Sequence, residues 1–141
     1  MAAARVVTNE EESAVVSEEA RYEVELPAVP PSVRTARREV TRFAAGLGVD
    51  VVNMAFAVSE AVANVVLHAY RGDADGPVRI NALAAGDEVR VIVADEGVGL
   101  RPDPGSPGLG LGLSLIGLVA DHVTVDSSRS GMEIEMTFDR H

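Results

Sequence analysis

The segment Met54 to Tyr70, MAFAVSEAVANVVLHAY, constrains the fold more than any other stretch of the chain. It is apolar on nearly every side and has the length of a helix, so it belongs in a core. Yet it carries Glu60, Asn64 and His68, with Asn53 just before it. At 3.6 residues per turn these four fall within roughly 80° of one another around the axis, making a narrow polar stripe on a hydrophobic rod. A carboxylate and a carboxamide are costly to bury unless something pairs with them. The stripe is therefore expected to line a pocket, one able to hold a hydrated cation. The plainer alternative is a buried polar pair satisfied by backbone or water.

The hydrophobic period sets the rest of the architecture. Arg21 to Leu26 (RYEVEL) alternates like a strand, and Pro27, Pro30 and Pro31 interrupt it. Ser32 is the expected helix cap. Val33, Ala36, Val40, Phe43, Ala44 and Leu47 then follow helical spacing, giving an amphipathic helix over Ser32 to Ala45 that Gly46 and Gly48 end. The polar-striped helix runs from about Asp50 to Tyr70. After Gly72 and Gly76 the period drops to two. Val78 to Leu83 and Val89 to Ala94, joined by Ala85-Gly86-Asp87, read as a hairpin.

A loop rich in proline and glycine follows from Asp95 to about Gly108. Leu109 to Ala120 reads as a helix, His122 to Asp126 as a strand, and Ser127 to Ser130 as a turn. In the last strand Met132, Ile134, Met136 and Phe138 point one way, and Glu133, Glu135 and Thr137 the other. The expected fold is α+β: a two-layer sandwich with a mixed, mostly antiparallel sheet and helices on one face. It spans residues 21–141, behind a mobile acidic leader at 1–20 that holds five glutamates.

A chain of 141 residues supports one domain with a real core. Its net charge of −10 argues against nucleic acid or anionic membrane as a partner. All twelve basic residues are arginine, which excludes a lysine phosphate loop and Schiff-base chemistry. Cysteine is absent, so disulfides, thiol catalysis and thiolate metal sites are excluded too. His68, His122 and His141 are too scattered for a zinc site. No apolar run reaches the length of a membrane span and no signal-peptide pattern opens the chain, so a cytoplasmic protein is expected.

Two glycine elements carry further chemistry. Asp95-Glu96-Gly97-Val98-Gly99-Leu100 follows an apolar strand directly. An aspartate there can accept hydrogen bonds from a ligand amino group, and alternate glycines let backbone approach a flat ring. Gly108-Leu109-Gly110-Leu111-Gly112-Leu113 opens a helix, whose free N–H groups and dipole favour an anion. Taken singly, the first is a common turn and the second a tightly packed helix. Glycine costs about 1 kcal/mol relative to alanine inside a helix, so three at alternate positions need compensation. Magnesium, which prefers oxygen ligands and keeps several waters, would suit Asn64, and Glu60 one turn away could take a proton from an attacking hydroxyl.

Together and in this order, the three elements resemble the adenine-nucleotide site of the GHKL ATPase superfamily. AVSEAVANVVLHAY resembles its N box, DEGVGL its first glycine box and GLGLGLSLI its second. The chain is most similar there to anti-sigma-factor serine/threonine kinases of the sporulation and stress-response type. No phosphoacceptor-histidine hairpin fits, and the loop between the glycine boxes is short. The resemblance implies ATP and magnesium as cofactors, Asn64 as the magnesium ligand and Glu60 as general base toward a protein serine or threonine. It implies that Asp95 reads the adenine amino group, that Gly97 and Gly99 shape its pocket, and that Gly108, Gly110 and Gly112 lie along the phosphates.

It further implies a sigma factor and a small anti-sigma-factor antagonist as partners, held in part by Arg34, Arg37, Arg38 and Arg42, and a homodimer. Arg34, Arg38 and Arg42 share a helix face. In the family the final strand often starts Gly-Thr, whose threonine supports the adenine aspartate; here Met132 follows Gly131, which puts that contact in question. The second functional reading is thus a catalytically silent, nucleotide-gated docking module.

Overall fold

A computed structural model describes residues 3–7, 18–70, 76–97, 108–128 and 130–141. In chain order they form β1 (Ala3–Val7), β2 (Glu18–Pro27), α1 (Pro31–Ala44) and α2 (Val51–Asn64), with a π-helical turn over Val65–Ala69. Then come β3 (Pro77–Ala85), β4 (Glu88–Asp95), α3 (Gly108–Val119), β5 (His122–Ser128) and β6 (Gly131–Asp139). The strands make one sheet in the order β1-β2-β3-β4-β6-β5. The α+β class holds, but every described pair is antiparallel, so the sheet is not mixed.

The alternation read in the sequence becomes the core. Tyr22, Val24 and Leu26, then Val78, Ile80 and Ala82, Val89, Val91 and Val93, and Ile134, Met136 and Phe138 all bury against Val40, Met54, Val58, Val62 and Ile116 of the helices. The β3–β4 hairpin runs in register from Val78↔Asp95 to Ala85↔Glu88, and Gly86 takes the positive φ its two-residue turn needs. That register puts Asp95 at the strand end.

Several expectations change. Residues 3–7, placed in a mobile leader, form a strand on β2, and β2 itself begins at Glu18 rather than Arg21. Residues 8–17 lie outside the described residues. Ser32 is not the cap of α1. Pro31 starts that helix with its φ already set, and the buried Ser32 hydroxyl donates to Pro27 O at 2.6 Å. Asp50 caps α2, its carboxylate accepting from Asn53 N–H at 3.0 Å. β5 runs on to Ser128 through the expected turn. Thr137, expected on the wet side with Glu133, is buried, and its Oγ1 has no partner among the described residues. Contrary to the sequence reading, Val51–Ala69 is long and apolar enough to cross a bilayer by length and composition; here its inner face is part of the core.

Candidate nucleotide site

The turn that follows α2 meets the chain where β4 ends, with Ala69 O against Gly97. α2 packs on α3 and β4, and the π turn that follows α2 touches β4 as well. A π turn is wider than an α-helical one and recurs at functional sites. Here it ends the polar-striped helix and delivers Tyr70 to the mouth of the β3–β4 hairpin. Glu60 lies half-buried on α2. Asn64, the last α-helical residue, is 4% exposed, and its Nδ2 has no hydrogen-bond partner among the described residues. A carboxamide offers both an acceptor oxygen and a donor nitrogen, and rotation exchanges them. His68 lies half-buried in the π turn.

Asp95 is 5% exposed, at the end of β4. Its Oδ1 accepts from Gly97 N–H at 2.8 Å and from Met132 N–H at 3.3 Å. Burial pushes its carboxyl above the usual range, and those two backbone donors pull against that. Met132 therefore supports the aspartate through its main chain, which no side chain at that position alters. An open cavity of ≈ 240 Å³ reaches Asp95, with Arg79, Ser128, Ser130, Met132 and Glu133 among its walls. Neither Glu60 nor Asn64 lines it; both belong to the helical layer.

The glycines act through close approach. A Cβ on Gly97 would sit 2.0 Å from Ala69 O, so the bend after Asp95 presses against the π turn as only glycine allows. Gly131, at φ +147, would place a Cβ 2.0 Å from Asp95 O. Gly108 and Gly110 fall in the first turn of α3, where N–H groups have no intrahelical partner, and Gly112 follows one turn on. Gly99 lies outside the described residues.

On α1, Arg34, Arg38 and Arg42 are exposed, but the fourth arginine is diverted: Arg37 donates to Ser59 Oγ on α2 at 3.3 Å. Arg42 also faces Glu39 at 3.4 Å. Sequence reasoning missed Tyr70. Its hydroxyl donates to Pro77 O and accepts from Glu96 N–H at 2.8 Å, while Arg79 and Glu96 form an ion pair beside it. Burial raises its pKa. A tyrosine closing an apolar helix gives no sign of where its hydroxyl will land.

A buried aspartate at a strand end, a helix carrying Glu60 and Asn64, and a glycine-opened helix belong to one antiparallel α+β domain. Residues 26–138 match the family described as histidine kinase-like ATPase domain, and the chain belongs to that family. Membership implies ATP as the nucleotide. The chain is similar to the serine-protein kinase RsbW of Bacillus subtilis, 33% identical over 133 residues and 82% of each chain. It is similar also to the anti-sigma F factor of Clostridium beijerinckii, 34% identical over 110 residues, 67% of this chain and 76% of the relative. Among solved structures, the RsbU and RsbW domains of Rv1364c from Mycobacterium tuberculosis share the fold, with a TM-score of 0.65 and 24% identity. That match covers 84% of this chain and 33% of the other.

Proposed function

We propose that the chain is an ATP-dependent serine/threonine protein kinase and anti-sigma factor, which holds a sigma factor and phosphorylates a small antagonist protein. The observation that carries this is Asn64: a buried carboxamide whose Nδ2 has no partner among the described residues, one turn from Glu60 on a helix whose π-turn continuation presses on Gly97, two residues past Asp95. An orphaned buried N–H donor costs about 1–3 kcal/mol, and a ligand oxygen accepting from Nδ2, with the metal taken by the carboxamide oxygen, accounts for that cost. The kinase and anti-sigma relatives support the same reading.

Asp95 accepts a hydrogen bond from the adenine amino group, with Gly97 and Gly99 shaping the pocket. The N–H groups opening α3, at Gly108, Gly110 and Gly112, lie along the phosphates. Magnesium, when bound, neutralises phosphate oxygens, and the Asn64 carboxamide oxygen fits it as the protein ligand. Glu60 takes the proton of a serine or threonine hydroxyl as its oxygen bonds the γ-phosphorus; the bond from that phosphorus to the β–γ bridging oxygen breaks, and ADP leaves. The exposed Arg34, Arg38 and Arg42, beside Arg37 at the α1–α2 seam, form a basic strip suited to acidic partner surfaces. The working unit is a homodimer in the cytoplasm, and its partners are proteins rather than nucleic acid or membrane.

The test is transfer of labelled γ-phosphate from ATP to the cognate antagonist. Glu60→Gln is expected to slow transfer about 10²–10⁴-fold while ATP affinity is kept. A wild-type protein that binds ATP and phosphorylates no antagonist would instead be the silent docking module.

A further inference from the structure

We infer that Tyr70 is a positioning residue for base recognition: its hydroxyl fixes the bend after β4 so that Asp95 is held ready for the adenine amino group. This rests on the reading of Asp95 as the base acceptor. Tyr70 joins three segments far apart in sequence. It follows the π turn, its hydroxyl donates to Pro77 O at the entry of β3, and the same oxygen accepts from Glu96 N–H at 2.8 Å at the exit of β4. The ring lies where a Cβ on Gly76 would come within 2.2 Å of it, so glycine at residue 76 lets the ring sit in this place.

The consequence for Asp95 is geometric. Glu96 is the single residue between Asp95 and Gly97, and its N–H is tied to Tyr70. Gly97, pressed against Ala69 O, is thereby held with its N–H 2.8 Å from Asp95 Oδ1. Met132 N–H donates to the same oxygen. Both backbone donors thus fall on Oδ1, and among the described residues no hydrogen bond to Oδ2 competes with a ligand there. Without the phenol oxygen, Glu96 N–H and Pro77 C=O both lose a partner and the bend is free to drift. The Arg79–Glu96 ion pair is exposed and cannot replace that constraint.

Calorimetry with ATP and with inosine triphosphate, which carries a carbonyl where adenine has its amino group, tests the assignment in wild type, Tyr70→Phe and Asp95→Asn. Wild type is expected to prefer ATP. Asp95→Asn turns an amide N–H toward the base, so it should lose or invert the preference; if it keeps the wild-type preference, the Asp95 reading fails and the inference with it. Tyr70→Phe, which keeps the ring, is expected to bind ATP about tenfold more weakly and to compress the ATP-to-inosine ratio by a similar factor. A general loss of packing would weaken both nucleotides alike. An Asp95→Asn protein that loses the preference beside a Tyr70→Phe protein that keeps it overturns the inference alone. Should Tyr70→Phe not fold, amide exchange of the wild type decides. Glu96 N–H is expected to exchange slowly, and more slowly with ATP than with inosine triphosphate; rapid exchange in both states overturns the inference.

Discussion

Replacing Asn64 by alanine separates a structural role from a ligand-binding one, because the two predict opposite signs. Asn64 is 4% exposed and its Nδ2 is unpartnered among the described residues. Removing a buried donor with no partner returns about 1–3 kcal/mol. The void left by the lost amide takes back about 0.5–1 kcal/mol at roughly 24 cal/mol per Å³. The nucleotide-free variant is therefore expected to be more stable than wild type by about 1 kcal/mol, a rise in melting temperature of about 3 °C for a chain of this size. Wild type in magnesium-ATP at a hundredfold excess over Kd gains about 2.7 kcal/mol, or about 8 °C. The variant should lose most of that gain in magnesium, with much less difference between the proteins when magnesium is chelated. Scanning calorimetry of both proteins, with nucleotide and with or without the metal, reads all of this. A variant that melts several degrees lower without nucleotide, yet keeps the full magnesium-ATP shift, would refute the reasoning and make Asn64 a structural amide.

Two glycines should respond oppositely to alanine. Gly97→Ala places a Cβ 2.0 Å from Ala69 O and is expected to cost about 3 kcal/mol, with ATP binding lost, whereas Gly117→Ala, with nothing within 4 Å on an exposed helix face, should stabilise by about 0.5–1 kcal/mol. Urea unfolding of each variant checks both signs. Tyr22→Phe removes a buried hydroxyl with no partner among the described residues and should leave stability at pH 7 unchanged or higher by up to about 1 kcal/mol. Burial, then the nearby Glu39 charge, pushes the Tyr22 phenol from 10.0 up to about 12. Because the folded value is the higher one, the stability it contributes is complete below pH 10 and lost as pH rises through about 12. The variant should lack that part of the alkaline decline, as unfolding at pH 7 and pH 11 would show; a clear loss at pH 7 would reveal a partner for the hydroxyl.

The elements were legible wherever a single period ran unbroken. Alternation in Val78 to Leu83 and Val89 to Ala94 is a property of each strand's own residues, and it survived as the β3–β4 hairpin with Asp95 at its end. Boundaries depended on competition the sequence does not display. Ser32 has the chemistry of a cap, but Pro31 was better suited to the first helical position and Pro27 O took the serine hydroxyl. The leader was read from its glutamates, which say nothing about whether the edge of β2 can pair with residues 3–7. Thr137 keeps its period but not its expected exposure, because burial depends on what stands beside a strand and not on the strand alone.

By itself the sequence determined the residue inventory of the site and the class of chemistry it permits. A chain without lysine or cysteine, bearing a carboxylate and a carboxamide on one face of an apolar helix, restricts phosphate binding to backbone N–H groups, arginine and metal. Only the tertiary structure decided how those residues are held. The backbone donor from Met132 to Asp95 and the Tyr70 hydroxyl spanning Pro77 and Glu96 both depend on contacts between segments distant in the chain. Local spacing fixes which way a side chain leaves its own element. Where the next element lies when it arrives is set by the packing of the whole core.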